Sequence, residues 1–190
     1  MRVITGSAKG HHLKGPRGNG TRPMLDSVKE SLFSILYGMG AIHGRMLDLY
    51  AGTGSIGIEG LSRGMEWCDF VEQKAAECQV IKENLTHTKL ISRAKVYQLS
   101  VARFLQQRGE LRYDLVMMDP PYADPHIHDT LADIVARDVL QEDGILIIGH
   151  SIHVAFTAQY GALQRCDFRQ FGGSCFTLFR HHPADKGADA

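Results

Sequence analysis

The chain alternates short, continuous apolar runs with stretches whose apolar residues recur at helical spacing. The runs fall at 45–49 (RMLDL), 67–72 (WCDFVE), 94–99 (AKVYQL), 113–118 (YDLVMM) and 144–149 (GILIIG). Helical patterns lie between them, at about 55–63, 73–86 (Val80, Ile81, Leu85), 101–108 and 127–137 (Leu131, Ile134, Val135). Strands that are apolar throughout are buried on both faces, so the repeats predict a parallel sheet covered by helices. Two further runs, 163–171 and 174–180, meet at Gly172-Gly173 and predict an antiparallel β-hairpin. An earlier helix is expected from Ser27, with Ser27 and Glu30 as a capping box and Val28, Leu32, Ile35 and Leu36 on one face. The pattern as a whole predicts a Rossmann-like α/β domain: a mostly parallel seven-stranded sheet, helices on both faces, and a C-terminal antiparallel hairpin.

The first residues follow another rule. Segments 2–5 and 11–14 are short and separated by glycines, which suggests a small hairpin or irregular arm. GPRGNGTRP at 15–23 reads as an exposed loop. The expected division is an arm and loop over 1–26, the α/β domain over 27–182 and a flexible tail over 183–190.

Charge sharpens the picture of the arm. The net charge of the 190-residue chain is zero, yet residues 1–25 carry Arg2, Lys9, Lys14, Arg17 and Arg22 and no acid. A basic arm on a neutral body, continued by Lys29, points to a polyanionic partner. Composition otherwise describes an ordinary globular domain with 44% hydrophobic and 22% charged residues. No apolar run approaches the roughly 18 residues of a membrane span. The start MRVITGSAKG lacks a signal-peptide core, so a cytoplasmic location is the expectation, with a monomer as the default for a chain of this size. Cys68, Cys78, Cys166 and Cys175 form no C-x-x-C, and His126 and His128 lack helical metal-pair spacing, so no metal site is expected.

Candidate chemistry gathers where strands end. RMLDLYAGTGSIGIEGLSRG, residues 45–64, joins a strand to a helix through Gly52, Gly54 and Gly57. Such a turn lets a nucleotide-type ligand approach backbone closely, but its G-x-G-x-x-G spacing suits several cofactors. Asp48 narrows the choice, because a carboxylate there opposes a pyrophosphate and suits a ligand carrying an amino group and a sulfonium. Glu72 ends the second strand, where its oxygens can accept from both ribose hydroxyls. Ser100 follows the third. Asp119-Pro120-Pro121-Tyr122 follows the fourth, and its prolines make a rigid segment that presents acceptors rather than N–H donors. The Asp119 carboxylate and Pro120 carbonyl would suit an exocyclic amine on a planar substrate, with the Tyr122 ring free to stack on it.

These stretches resemble the RsmD family of 16S ribosomal RNA guanine-N2 methyltransferases, within the class I S-adenosylmethionine-dependent methyltransferases. The resemblance covers RVITGSAKGHHL, TRPMLDSVKESLFSIL, LDLYAGTGSIGIEGLSRG, VEQ at 71–73, DPPY and the terminal hairpin. It implies S-adenosylmethionine contacts from Asp48, Tyr50, Ala51, Gly52, Thr53, Gly54, Glu72, Gln73, Ser100 and Val101. It also implies catalysis at Asp119, Pro120, Pro121 and Tyr122, and RNA contacts from Arg2, Lys9, Lys14, Arg17, Arg22 and Lys29. The implied target is the guanine at position 966 of 16S rRNA, free or within an assembling small subunit. Met24 and Ser27 stand where the family usually has Thr and Arg, and His150, after the fifth strand, stands where a Glu is common. Competing expectations are a DNA adenine-N6 or protein glutamine-N5 methyltransferase, a non-catalytic RNA-binding protein on this fold, and an NAD-dependent oxidoreductase. The last leaves Asp48 and DPPY unexplained.

Overall fold

In the computed structural model, residues 1–16, 24–121 and 124–182 are described. The predicted Arg17, Arg22 and Tyr122, and the 183–190 tail, lie outside them. Five parallel strands form one half of the sheet: β1 (Arg45–Leu49), β2 (Trp67–Glu72), β3 (Ala94–Gln98), β4 (Tyr113–Met118) and β5 (Leu140–Ser151). Three antiparallel strands complete it: β6 (Gln159–Tyr160), β7 (Leu163–Phe171) and β8 (Ser174–His181). The order is β3-β2-β1-β4-β5-β8-β7-β6, so the chain crosses over between β3 and β4. The sheet has eight strands where the pattern predicts seven; the extra one, β6, has two residues, too few to leave a periodicity. β5 also runs four residues earlier than its apolar core, through the exposed segment Gln141–Asp143.

Helices cover both faces because each strand's alternate residues feed a different core. One core joins Met46, Phe70, Met117 and Ile147 to α1 (Asp26–Gly38), α2 (Ser55–Arg63) and α3 (Ala75–His87). The other joins Leu49, Val116, Met118 and Ile148 to α4 (Val101–Gln107) and α5 (Ile127–Ala136). In α2, Gly60 lets the helix settle onto β1: a Cβ there would lie 2.7 Å from Met46 Sδ. α1 departs from the expected capping box. It begins at Asp26, one residue before Ser27, and no side chain caps it. Asp26 instead places a carboxylate in the first turn, where it favours the helix dipole and pairs with Arg2 at 3.3 Å.

The arm is built into the first core through Val3, Ala8 and Leu13, with an antiparallel bridge between Arg2 and His12. Its anchor is Glu59 on α2, which is fully buried. Glu59 Oε2 accepts from Ile4 N at 2.9 Å, while Oε1 accepts from Thr5 N at 3.0 Å and Arg63 Nε at 2.7 Å. Lys29 completes the cluster and overturns its assignment as an RNA contact. Only 1% exposed, it lies 3.3 Å from Glu59 and donates to the Arg2 carbonyl at 2.7 Å. Its place in α1, one turn before the apolar Leu32 and Phe33, turns it inward. Burial pulls the ammonium below its ordinary pKa, and Glu59 opposes that shift. Removing one partner of a buried pair typically costs about 3–5 kcal/mol, because the other charge is stranded. Lys29→Ala is accordingly expected to lose about 3 kcal/mol in urea unfolding; a loss within the noise of a surface substitution contradicts the anchor.

Candidate active site

Parallel pairing sets four strand ends side by side. Leu49 pairs with Val71 and with Met118, and Met118 pairs with Ile148. One residue further on stand Tyr50, Glu72, Asp119 and Gly149. The β1–β4 boundary is the topological switch point, where open α/β sheets bind ligands beyond their carboxyl ends.

The glycine turn after β1 is held from several sides. Tyr50 adopts a left-handed φ of 58°, a conformation that costs a β-carbon-bearing residue about 1–3 kcal/mol and clusters at functional sites. Its hydroxyl shares a 3.0 Å hydrogen bond with Thr130 of α5. Ala51 N donates to the Val71 carbonyl at 3.0 Å. Gly52 has φ 53°, and a Cβ there would meet nothing nearer than the Tyr50 carbonyl at 4.0 Å, so the space above it is open. Thr53 is tied to the arm: its carbonyl accepts from Asn84 Nδ2 at 3.0 Å, and the same amide exchanges bonds with Lys14 N and O. Thr53 Oγ1 also lies 3.7 Å from Met1 Sδ.

Three carboxylates surround this turn. Glu72 accepts from Gly52 N at 3.0 Å and Lys74 N at 2.8 Å, which aims it across the turn from the end of β2. Asp48 is buried beneath the turn and accepts from Gly57 N at 2.9 Å. That bond ties the end of β1 to the first turn of α2. Burial raises the Asp48 pKa to about 8, against the pull of the Gly57 bond, with Asp119 and Glu72 adding repulsion. Burial likewise raises Asp119 to about 6. Pro120 is buried and Pro121 exposed, with the Pro121 carbonyl accepting from Asp124 N at 2.8 Å. An acidic, partly desolvated pocket favours a cationic ligand and disfavours a pyrophosphate.

Other predicted residues have plainer settings. Ser100 is exposed and caps α4, accepting from Arg103 N at 3.3 Å; Val101 begins that helix in the core. Gln73 is exposed in the turn after β2. Arg2, Lys9 and the side chain of Lys14 are on the surface, with Lys14 paired to Glu83 at 2.8 Å. The arm thus runs beside the glycine turn, while Lys29 is withdrawn from the basic set. Asn84, Thr130 and Gly149 were not foreseen. Nothing in a helical Asn, a helical Thr or a strand glycine announces a long-range partner. His150, beside Gly149, is buried, donating from Nδ1 to the Ser151 carbonyl and accepting at Nε2 from the Thr177 hydroxyl, each at 2.8 Å. Among the described residues no helix is long and apolar enough to cross a membrane.

This strand order, with a glycine turn after β1, a carboxylate ending β2 and a closing antiparallel hairpin, defines a class I S-adenosylmethionine-dependent methyltransferase. The open space over Gly52 and the acid set around it fit that cofactor. A family model described as "Conserved hypothetical protein 95" matches residues 1–180, and the chain belongs to that family, the RsmD family. YlbH of Bacillus subtilis, which carries an rRNA methyltransferase name, is 39% identical over 165 residues, covering 86% of this chain and 89% of YlbH. Ribosomal RNA small subunit methyltransferase D of Escherichia coli is 30% identical over 161 residues, covering 85% of this chain and 77% of the enzyme. The solved structure of the Escherichia coli protein yhhF superposes with a TM-score of 0.85 at 25% identity, covering 96% of this chain and 98% of that one.

The raised pKa of Asp119 makes a stability prediction. The folded state keeps a proton that the unfolded carboxyl has released, so stability falls as pH rises from about 4 to about 6. Asp119→Asn removes this penalty. In thermal unfolding its advantage over wild type should be absent near pH 4, grow up to about pH 6 and then level off. An advantage independent of pH contradicts the assignment.

Proposed function

We propose that this chain transfers a methyl group from S-adenosylmethionine to the exocyclic N2 amine of a guanine in small-subunit rRNA, at position 966. The observation that carries the reading is the placement of Asp119-Pro120-Pro121 one strand from the glycine turn, at the switch point, with the basic arm alongside. The relatives named for rRNA methylation support the substrate class. The Asp119 carboxylate and the donor-free Pro120-Pro121 backbone after β4 support an amine as the target.

The cofactor, when bound, supplies a methyl group already activated on a sulfonium, so the chain's task is placement and proton management. The backbone of Gly52 and Gly54 and the Glu72 carboxylate would hold it, Glu72 through the ribose hydroxyls. The Asp119 carboxylate would lower the local potential around its positive charge, and Asp48 would hold the turn beneath it. On the substrate side, Arg2, Lys9 and Lys14 bind RNA phosphates, together with Arg17 and Arg22. A guanine turned out of its stack then reaches the pocket. Its amine is a poor nucleophile, because the nitrogen lone pair is delocalised into the ring. Asp119 and the Pro120 carbonyl accept its two hydrogens, fixing the amine with its lone pair toward the methyl group. As the new N–C bond forms and the methyl group's bond to sulfur breaks, with S-adenosylhomocysteine leaving, the nitrogen would become acidic, and the Asp119 carboxylate would take the proton and later return it to solvent. Holding reactants in line can be worth about 7–11 kcal/mol. One well-aimed acceptor contributes about 3–4 kcal/mol more.

Labelled methyl incorporation into 16S rRNA from cells lacking the gene tests this. Asp119→Ala should reduce the rate about 10²–10³-fold while S-adenosylhomocysteine still binds. The wild-type rate should fall as pH drops below about 6, where Asp119 is protonated. Wild-type turnover by Asp119→Ala contradicts the mechanism. RNA binding without any methyl incorporation by the wild type points instead to a non-catalytic RNA-binding protein.

A further inference from the structure

We propose that Gly149 is a positioning residue: its bare Cα is the seat on which the Asp119 carboxylate rests. Asp119 and Gly149 each lie one residue beyond the Met118–Ile148 pair, on adjacent strands β4 and β5. A Cβ built on Gly149 would lie 2.9 Å from Asp119 Cγ, closer still to Oδ1, and 3.2 Å from Phe176 Cε1. Real β-carbons do not approach a carboxyl group this closely, so one of the two must move.

Backbone conformation does not explain the glycine. Gly149 lies in an extended strand paired with Phe176 of β8, and it is absent from the positive-φ residues. Alanine could take that backbone freely, and glycine in a strand interior is mildly destabilising. What glycine supplies is space. Phe176 cannot easily give way, being buried and packed edge-on against Phe171 with ring centroids 6.0 Å apart. The backbone of Asp119 is equally confined, because Pro120 and Pro121 follow it. A methyl group at 149 therefore pushes the carboxylate itself off strand β5 and toward the open pocket. Displaced by about 1 Å, it no longer meets the amine, an error that can cost about 100-fold in rate. It also becomes better hydrated, so its raised pKa relaxes toward the ordinary carboxylate range.

This inference rests on Asp119 as the amine acceptor, so its test includes a readout that needs no RNA. Wild type, Gly149→Ala, Asp119→Ala and the double variant form a thermodynamic cycle. Gly149→Ala should lose about 100-fold in kcat with KM and S-adenosylhomocysteine affinity unchanged, and its acid limb should move to lower pH. Its loss of Tm should shrink when Asp119→Ala has already removed the carboxylate. If Gly149→Ala alone does not fold, recovery by Asp119→Ala supports the seat and no recovery overturns it. An equal Tm loss in both backgrounds, or a Gly149→Ala enzyme with wild-type kcat, also overturns it. If wild type transfers no methyl to RNA, the functional reading fails, and the stability cycle still decides whether Gly149 seats Asp119.

Discussion

Leu49, Met118 and Ile148 lie level on three hydrogen-bonded parallel strands, and the proposed chemistry begins one residue beyond them. That register brings the glycine turn, the Asp119 carboxylate and Gly149 to one edge of the sheet, although nearly a hundred residues separate the first from the last. It is maintained by burial on both faces, since slipping a strand by one residue would exchange the two cores. The helices cover the two faces of those strands, and the arm packs into one of the two cores.

The second constraint is electrostatic. Asp48, Glu72 and Asp119 share a poorly solvated edge, and two of them carry clearly raised pKa values. Such a cluster is costly to ionise, and a cationic ligand relieves it. The same feature that weakens the empty fold at neutral pH thus favours a sulfonium cofactor over a dinucleotide. Backbone donors then distribute the acids among tasks: Gly57 holds Asp48 below the turn, while Gly52 and Lys74 aim Glu72 across it. The arm enters the same system through Asn84, whose amide joins Lys14 to the Thr53 carbonyl.

Much of this was legible in the chain. The runs RMLDL, WCDFVE and YDLVMM coincide with β1, β2 and β4 because a strand buried on both faces leaves an uninterrupted apolar mark. The Gly172-Gly173 hairpin likewise carried its own turn chemistry. Local signals failed where tertiary partners decide. Ser27 and Glu30 match a capping box, yet the helix starts at Asp26, whose carboxylate serves its first turn. Lys29 belongs to a basic stretch, but helical phase turns it inward onto Glu59. Asn84 and Gly149 act only through residues distant in sequence, 31 positions for Asn84 and Thr53, so no nearby pattern reveals them.

This edge of the sheet is proposed to methylate one guanine of the small-subunit rRNA, and mass-spectrometric mapping of modified nucleotides in rRNA from cells with and without the gene tests that proposal. A single N2-methylguanine, at position 966 of 16S rRNA, should disappear with the gene and return when it is restored. An unchanged map, or loss of a methyl group elsewhere, contradicts it.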